Sequence, residues 1–203
     1  MARRTTSRGP TRTTRPRRAR SSRADRVTLR RTTVADIPVL VRHRRGMWED
    51  IGGRSPRVLD RADVTYRRWV RREIRAGRFI GLLAEDRDGR PAATGVLWVA
   101  PAHPRPGPFS RLTAPYVMSM YTEPEFRRLG LASRLVQWMI RYTRSRGYPR
   151  LYLNASRYGR PVYAKLGFED GNEMRLDLQA TRSRRGGAGG ARARGRRRPA
   201  TFP

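Results

Sequence analysis

The chain has no cysteine at all, which excludes disulfides, zinc–thiolate sites and a cysteine nucleophile, and fits a cytoplasmic protein. No apolar run approaches the roughly 18 residues needed to span a bilayer, so no membrane partner is expected. No apolar segment follows the basic start, which argues against a secretory signal. Residues 1–26 also lack the large apolar side chains of an amphipathic transit helix. Acids are few, at 16 against 47 basic residues, giving a formal net charge of +31. Lysine is nearly missing, since every basic residue but Lys165 is arginine. So lopsided a choice matches G+C-rich codon usage, and arginine abundance alone is a weak sign of nucleic-acid binding.

What is present divides by composition into three. Residues 1–26 are Arg, Thr, Ser and Pro, and residues 181–203 are Arg and Gly with the single aromatic Phe202. Neither end carries apolar residues to offset the entropy of ordering, so both are expected to be disordered tails. Basic tails of this kind can contact nucleic acid or the ribosome by counterion release, or can be plain solvated chain. The whole chain is 37% hydrophobic, and residues 27–180 have the length for one cored domain.

Within that domain, helical and extended patterns alternate. "VTLRR" from Val27 reads as a strand. A helix capped by Thr33 follows, with Ile37, Leu40, Val41 and Met47 inward. A second helix is expected over 61–76, with Val64, Trp69, Val70 and Ile74 on its apolar side. "RFIGLLAEDRDGRPAATGVLWVAPA" reads as a hairpin about Asp88-Gly89. A Pro-rich loop spans 101–115 and "YVMSMYT" is a strand. "LYLNA" is another strand, 159–166 a short helix, and "NEMRLDL" a last strand. The order suggests a mixed sheet covered by helices.

"YTEPEFRRLGLASRL", Tyr121 to Leu135, carries the most chemistry. Pro124 pushes its predecessor out of the helical region, so the strand should end near Thr122. After Gly130, apolar or small residues at Ala132, Leu135, Val136, Met139, Ile140 and Thr143 give one buried stripe. A strand–loop–helix unit aims the free N–H groups of the first helical turn at the loop, where phosphate binds. Arg127 and Arg128 add charge. Taken alone, the fragment is also compatible with an ordinary turn bearing exposed arginines.

Downstream, "LNASRYGRPVYAKLGFED" supplies a second motif. Residues 116–178 closely resemble the GCN5-related N-acetyltransferase (GNAT) family, with "YTEPEFRRLGLA" as its pyrophosphate motif and "GRPVYAKLGF" as its short helix and strand. The resemblance extends over about 27–179. It implies an α/β fold, a single domain whose mixed, mostly antiparallel central sheet has helices on both faces. It further implies acetyl-CoA as co-substrate, no metal, and transfer of an acetyl group to an amine by direct attack in a ternary complex. By the same resemblance Arg127, Arg128, Leu129, Gly130, Leu131, Ala132 and Ser133 wrap the pyrophosphate. Met120, Tyr121 and Thr122 pair with the pantetheine arm, and the Thr122 N–H polarises the thioester carbonyl. Tyr163 protonates the departing thiolate, the alternative being a core tyrosine with a satisfied hydroxyl. Asn154 and Ser156 are further polar contacts, Ser156 standing where many relatives carry asparagine.

The acceptor amine needs a base or a water relay. Glu123 and Glu125 are the carboxylates beside the strand end, and Glu49 and Asp50 end the first helix. Each reads equally as a surface acid among arginines. His43, flanked by arginines, is expected to be exposed, and His103 lies in the Pro-rich loop. Three functions fit: an N-acetyltransferase acting on a primary amine, a non-catalytic acyl-CoA-binding regulatory domain, or a nucleic-acid- or ribosome-associated protein acting through its tails. A strongly positive core argues against polycationic acceptors such as aminoglycosides. The chain is equally readable as monomer or homodimer.

Overall fold

The computed structural model describes residues 27–104, 111–171, 173 and 174. Its elements run β1 (Thr28–Arg31), a 3-10 turn (Val34–Asp36), α1 (Ile37–Ile51), α2 (Pro56–Arg75), β2 (Phe79–Glu85) and β3 (Pro91–Pro101). They continue with β4 (Thr113–Thr122), a second 3-10 turn (Pro124–Phe126), α3 (Leu131–Ser145), β5 (Tyr152–Leu153) and α4 (Arg160–Lys165). All belong to one compact unit ending at Phe168. The expected final strand "NEMRLDL" falls largely outside the described residues, as do both tails.

The five strands lie in sequence order in one sheet. β1 to β4 pair antiparallel, and β5 joins β4 parallel. Successive side chains on a strand point to opposite faces, so β2, β3 and β4 feed two cores. On one face Leu82, Ala93, Leu97 and Val117 pack with Leu131, Leu135, Val136 and Met139 of α3. On the other, Phe79 and Val96 pack with Ile37, Leu40 and Val41 of α1 and with Tyr66 and Val70 of α2. Helices therefore cover both faces, as the sequence implied.

Three expectations need correction. The second helix starts at Pro56, five residues before the expected 61, because Pro at the first helical position is pre-organised there and Ser55 stands before it. Its inward side is Leu59, Tyr66, Val70 and Glu73, spaced three, four and seven apart. Val64 falls out of phase with that stripe and is 53% exposed. "LYLNA" forms only a two-residue strand, Tyr152–Leu153. The hairpin is as expected, with Gly89 at φ +74° in the connection between β2 and β3.

Two acids hold the frame. Asp36 accepts two hydrogen bonds from Arg30, at 2.9 and 2.7 Å, and one from the Thr33 N–H at 2.7 Å. The Arg30 guanidinium first, opposed by desolvation, holds its carboxyl down at about 2. Glu73, buried at the end of α2, accepts from Arg78 (2.7 and 3.1 Å), Arg72 (3.0 Å) and the Trp98 indole N–H (3.1 Å). Arg78 does most to hold it at about 2 as well. Trp98 lies on β3, so this carboxylate ties α2 to the sheet.

Candidate active site

β4, the loop after it and the start of α3 bring the expected site residues together in one continuous path. β4 pairs with β5 only at Tyr116 and Val117. From Met118 onward its outer edge therefore has no strand partner among the described residues. On its inner edge β4 follows β3 with one extra residue: Tyr121 faces Thr94 and Met118 faces Val96. The irregularity is a β-bulge, and Ser119 within it has φ +50°. Nothing in the sequence signalled this, because serine gives no hint of positive φ.

Past the bulge, the Glu123 N–H donates to the Ala92 carbonyl at 2.9 Å. Backbone groups alternate sides along a strand, so the N–H and C=O of Thr122 turn away from β3 toward the open edge. The Thr122 carbonyl accepts from Arg127 Nε at 3.1 Å, and Arg127 Nη2 reaches Asp50 of α1 at 2.6 Å. Arg127 thus ties the loop to the end of α1, whereas Arg128 is exposed with φ +63°.

Gly130 sits immediately before α3 with φ +76°, a left-handed conformation that costs other residues about 1–2 kcal/mol. A Cβ built there would meet nothing within 4 Å, so the glycine answers to backbone geometry and opens space beside it. The first intrahelical bond is Arg134 N–H to Gly130 C=O. The N–H groups of Leu131, Ala132 and Ser133 therefore have no partner inside the helix. This donor set, with the open edge of β4 leading to it, suits an elongated ligand ending in phosphates.

Tyr163 of α4 packs on the same core as Met120, Leu129 and Leu131, with its ring edge-on to Phe168 at 5.8 Å. Its hydroxyl makes no hydrogen bond among the described residues. Burial raises the phenol above its ordinary value, so it remains a proton donor at neutral pH. Ser156 Oγ accepts from the Gly159 N–H at 3.2 Å and so shapes the entry to α4. Asn154 is exposed just past β5, and Glu125 is exposed in the 3-10 turn. Glu49 is paired with Arg45, and His103 touches the Pro104 carbonyl on the surface.

His43 contradicts expectation. It is wholly buried where α1 meets β3 and β4, because three and four residues either side lie the inward Leu40 and the half-buried Met47. That spacing was the available signal, masked by Arg42, Arg44 and Arg45. Nδ1 lies 3.1 Å from Thr94 Oγ1 and Nε2 3.0 Å from Glu123 Oε1. The ring also meets Tyr121 at 5.1 Å. Tyr121 in turn comes close against α1 because residue 46 is glycine, where a Cβ would lie 2.7 Å from the phenol ring. Among the described residues no group of three His, Asp or Glu side chains could hold a metal ion.

No curated protein matches the chain. Solved structures do. A GCN5-related N-acetyltransferase from Ralstonia eutropha is 25% identical, with a TM-score of 0.69 over 75% of this chain and 99% of that one. A predicted acetyltransferase with acetyl-CoA from Clostridium acetobutylicum is also 25% identical, with a TM-score of 0.66 over 76% and 97%. The ribosomal-protein-alanine N-acetyltransferase of Brucella melitensis shares the fold at 19% identity, with a TM-score of 0.56 over 75% and 99%. The family model for the acetyltransferase (GNAT) family matches residues 45–168, which takes in α2, the whole β4–loop–α3 unit and α4. The chain belongs to the acetyltransferase (GNAT) family, and it is an acyltransferase of the N-acetyltransferase type.

Proposed function

We propose that this chain moves an acetyl group from acetyl-CoA to a primary amine by direct attack, with both substrates bound at once. The observation that carries the reading is the open edge of β4 ending at the bare N–H groups behind Gly130. Those N–H groups of Leu131, Ala132 and Ser133, with the exposed Arg128, take the pyrophosphate. The edge of β4 from Met120 to Thr122 takes the pantetheine arm. The outward Thr122 N–H then points at the thioester carbonyl and stabilises the negative charge that gathers on its oxygen during attack. As the N–C bond forms and the C–S bond breaks, the hydroxyl of Tyr163 gives its proton to sulfur, and a proton lost from the attacking nitrogen restores it. A phenol of ordinary pKa ~10 donates to a thiolate whose conjugate acid is near ~8.5 only when well placed. The hydrophobic seat of Tyr163, rather than acidity, is what makes it useful.

The acceptor enters from the α1–α2 face of β4, where Tyr121 and Glu123 project toward α1. Isothermal titration should show acetyl-CoA and CoA binding with similar affinity, and absence of both would end this reading. With any amine that is turned over, Tyr163→Phe should lower kcat about 100-fold, the usual size of a lost acid, with acetyl-CoA affinity unchanged. Full turnover in that variant would remove Tyr163 from the mechanism.

A further inference from the structure

The inward stripe of α1 runs through Ile37, Leu40 and Val41, and helical spacing places residue 44 next on it, four past Leu40 and three past Val41. That residue is an arginine, half-buried where α1 faces α2. Its guanidinium lies over the Tyr66 ring at 4.5 Å and 5.9 Å from the centre of the Trp48 ring. Ring faces attract a cation but do not replace a counter-ion. Neighbouring arginines have one: Arg45 pairs with Glu49, Asp60 and Asp63, Arg42 lies 3.6 Å from Glu123, and Arg127 pairs with Asp50. Arg44 has neither an acid nor a hydrogen bond among the described residues. Three buried side-chain polar atoms lack a partner there, Thr32 Oγ1, Thr143 Oγ1 and Arg44 Nη1, and only the last belongs to a charged group. A shut-in charged donor left unpaired destabilises the fold, so its retention calls for a partner from outside.

The Tyr66 hydroxyl stands 3.5 Å from Ser119 Oγ, which sets Arg44 and its ring beside the β4 bulge. Ser119 precedes Thr122 by three residues, on the order of 10 Å along a strand. Arg44 is therefore on the face from which the acceptor enters, within a small molecule's length of the Thr122 N–H. With Nη1 shut in, the side edge of the guanidinium, Nε and Nη2, is left for a ligand. Two parallel N–H donors on one edge match the two oxygens of a carboxylate. Arg54, exposed and 5.7 Å from the centre of the Trp48 ring, brings a second positive charge to the same indole.

We propose that Arg44 determines acceptor specificity by binding a carboxylate on the acceptor, so that the substrate is an amine with an acid group several bonds away. This rests on the acetyl-transfer reading of Thr122 and Gly130. The Tyr66 ring holds the guanidinium in place before the acceptor arrives, and the acceptor's carboxylate supplies the counter-charge that no described residue provides. The positive charge of the chain then draws such an acceptor in.

The test needs no knowledge of the natural amine. Conjugates join the CoA sulfur through an acetyl bridge to the nitrogen of an arm one to five methylenes long. One set ends in a carboxylate and the other in the uncharged carboxamide. Calorimetry on the full chain should find the acid bound about tenfold more tightly than its amide at the best-fitting length, the size of one bidentate ion pair. That ratio should fall to near one in Arg44→Met and Arg44→Gln, and return in part in Arg44→Lys, which restores the charge without the fork. Arg44→Met should melt no lower than the parent, since the orphaned nitrogen leaves while methionine keeps contact with the ring. A purely structural arginine predicts the reverse, a lower melting temperature with the ratio unchanged. Equal binding of acid and amide at every length overturns the proposal, as does a preference that survives in Arg44→Met and Arg44→Gln. A phosphonate arm bound more tightly than the carboxylate overturns the carboxylate as the ligand. Failure of every conjugate while CoA binds also overturns it. If CoA itself fails to bind, the coenzyme loop is misread and this proposal falls with it.

Discussion

Gly130→Val should weaken acetyl-CoA binding about 100-fold while lowering the stability of the fold by no more than about 1–2 kcal/mol. The two effects separate because of where the glycine sits. Its φ of +76° is strained for valine, yet nothing within 4 Å would collide with the new side chain. The chain thus has two responses: keep the turn at a cost of about 1–2 kcal/mol, or rotate the residue out of the left-handed region. Either response damages the site. Rotation swings the N–H groups of Leu131, Ala132 and Ser133 off their shared direction, and retention puts a branched side chain in the open space beside them. A loss of about 100-fold corresponds to roughly 2.7 kcal/mol, two or three phosphate hydrogen bonds at their net worth. Gly130→Asn should lose less, since asparagine tolerates positive φ. Titration calorimetry alongside thermal unfolding checks both halves. A valine variant that binds as the parent does would mean that the phosphates are held elsewhere.

Glu73→Ala should lower stability by about 3 kcal/mol, or roughly 6–12 °C in melting temperature for a domain of this size. The glutamate is 3% exposed, and its removal strands the Trp98 indole N–H inside the α2–sheet interface. Arg72 and Arg78 suffer less because both still reach water. The effect should depend on pH in a fixed sense. The carboxyl titrates near 4.5 when unfolded and is held at about 2 in the fold, Arg78 contributing most. A depressed folded value means that the stabilisation is complete above about 4.5 and is lost as pH falls toward about 2. A shift of that size also amounts to roughly 3 kcal/mol, in line with the truncation. Parent and variant should accordingly converge near pH 2, and denaturant melts from pH 7 to pH 2 would show it. A gap that stays constant with pH would assign the loss to packing instead of charge.

The parts of this molecule that were legible in its sequence are those fixed by neighbours along the chain. Pro124, Gly130 and the stripe from Ala132 to Thr143 are local signals, and strand, loop and helix fall where they indicate. The hairpin about Gly89 is legible for the same reason. What could not be read depends on pairing between distant segments. The bulge at Ser119 exists because β3 and β4 differ by one residue in register, which no window on β4 alone contains. The composition around His43 points to the surface, with three arginines beside it, whereas its phase places it on the inward stripe between Leu40 and Met47. Gly46 offered a second clue, since glycine inside a helix usually marks a close approach, and here Tyr121 makes it. Val64 fails in the converse way, apolar in identity and outward in phase.

One sheet with a separate core on each face has an optical consequence. Trp69 and Trp98 stand edge-on at 5.3 Å on the α1–α2 side, with Tyr66 and Phe79 around Trp69. Trp138 stacks on Tyr142 along α3 on the other side. The two sides of the sheet thus carry their own indole reporters, and the coenzyme loop runs directly into the helix that carries Trp138, reaching α1 through the Arg127–Asp50 ion pair. Ligand-induced tightening of α3 should therefore colour the emission of Trp138 and leave the Trp69–Trp98 pair dark to it. Changes on the acceptor side should do the reverse, which makes the two binding events distinguishable by fluorescence without any added label.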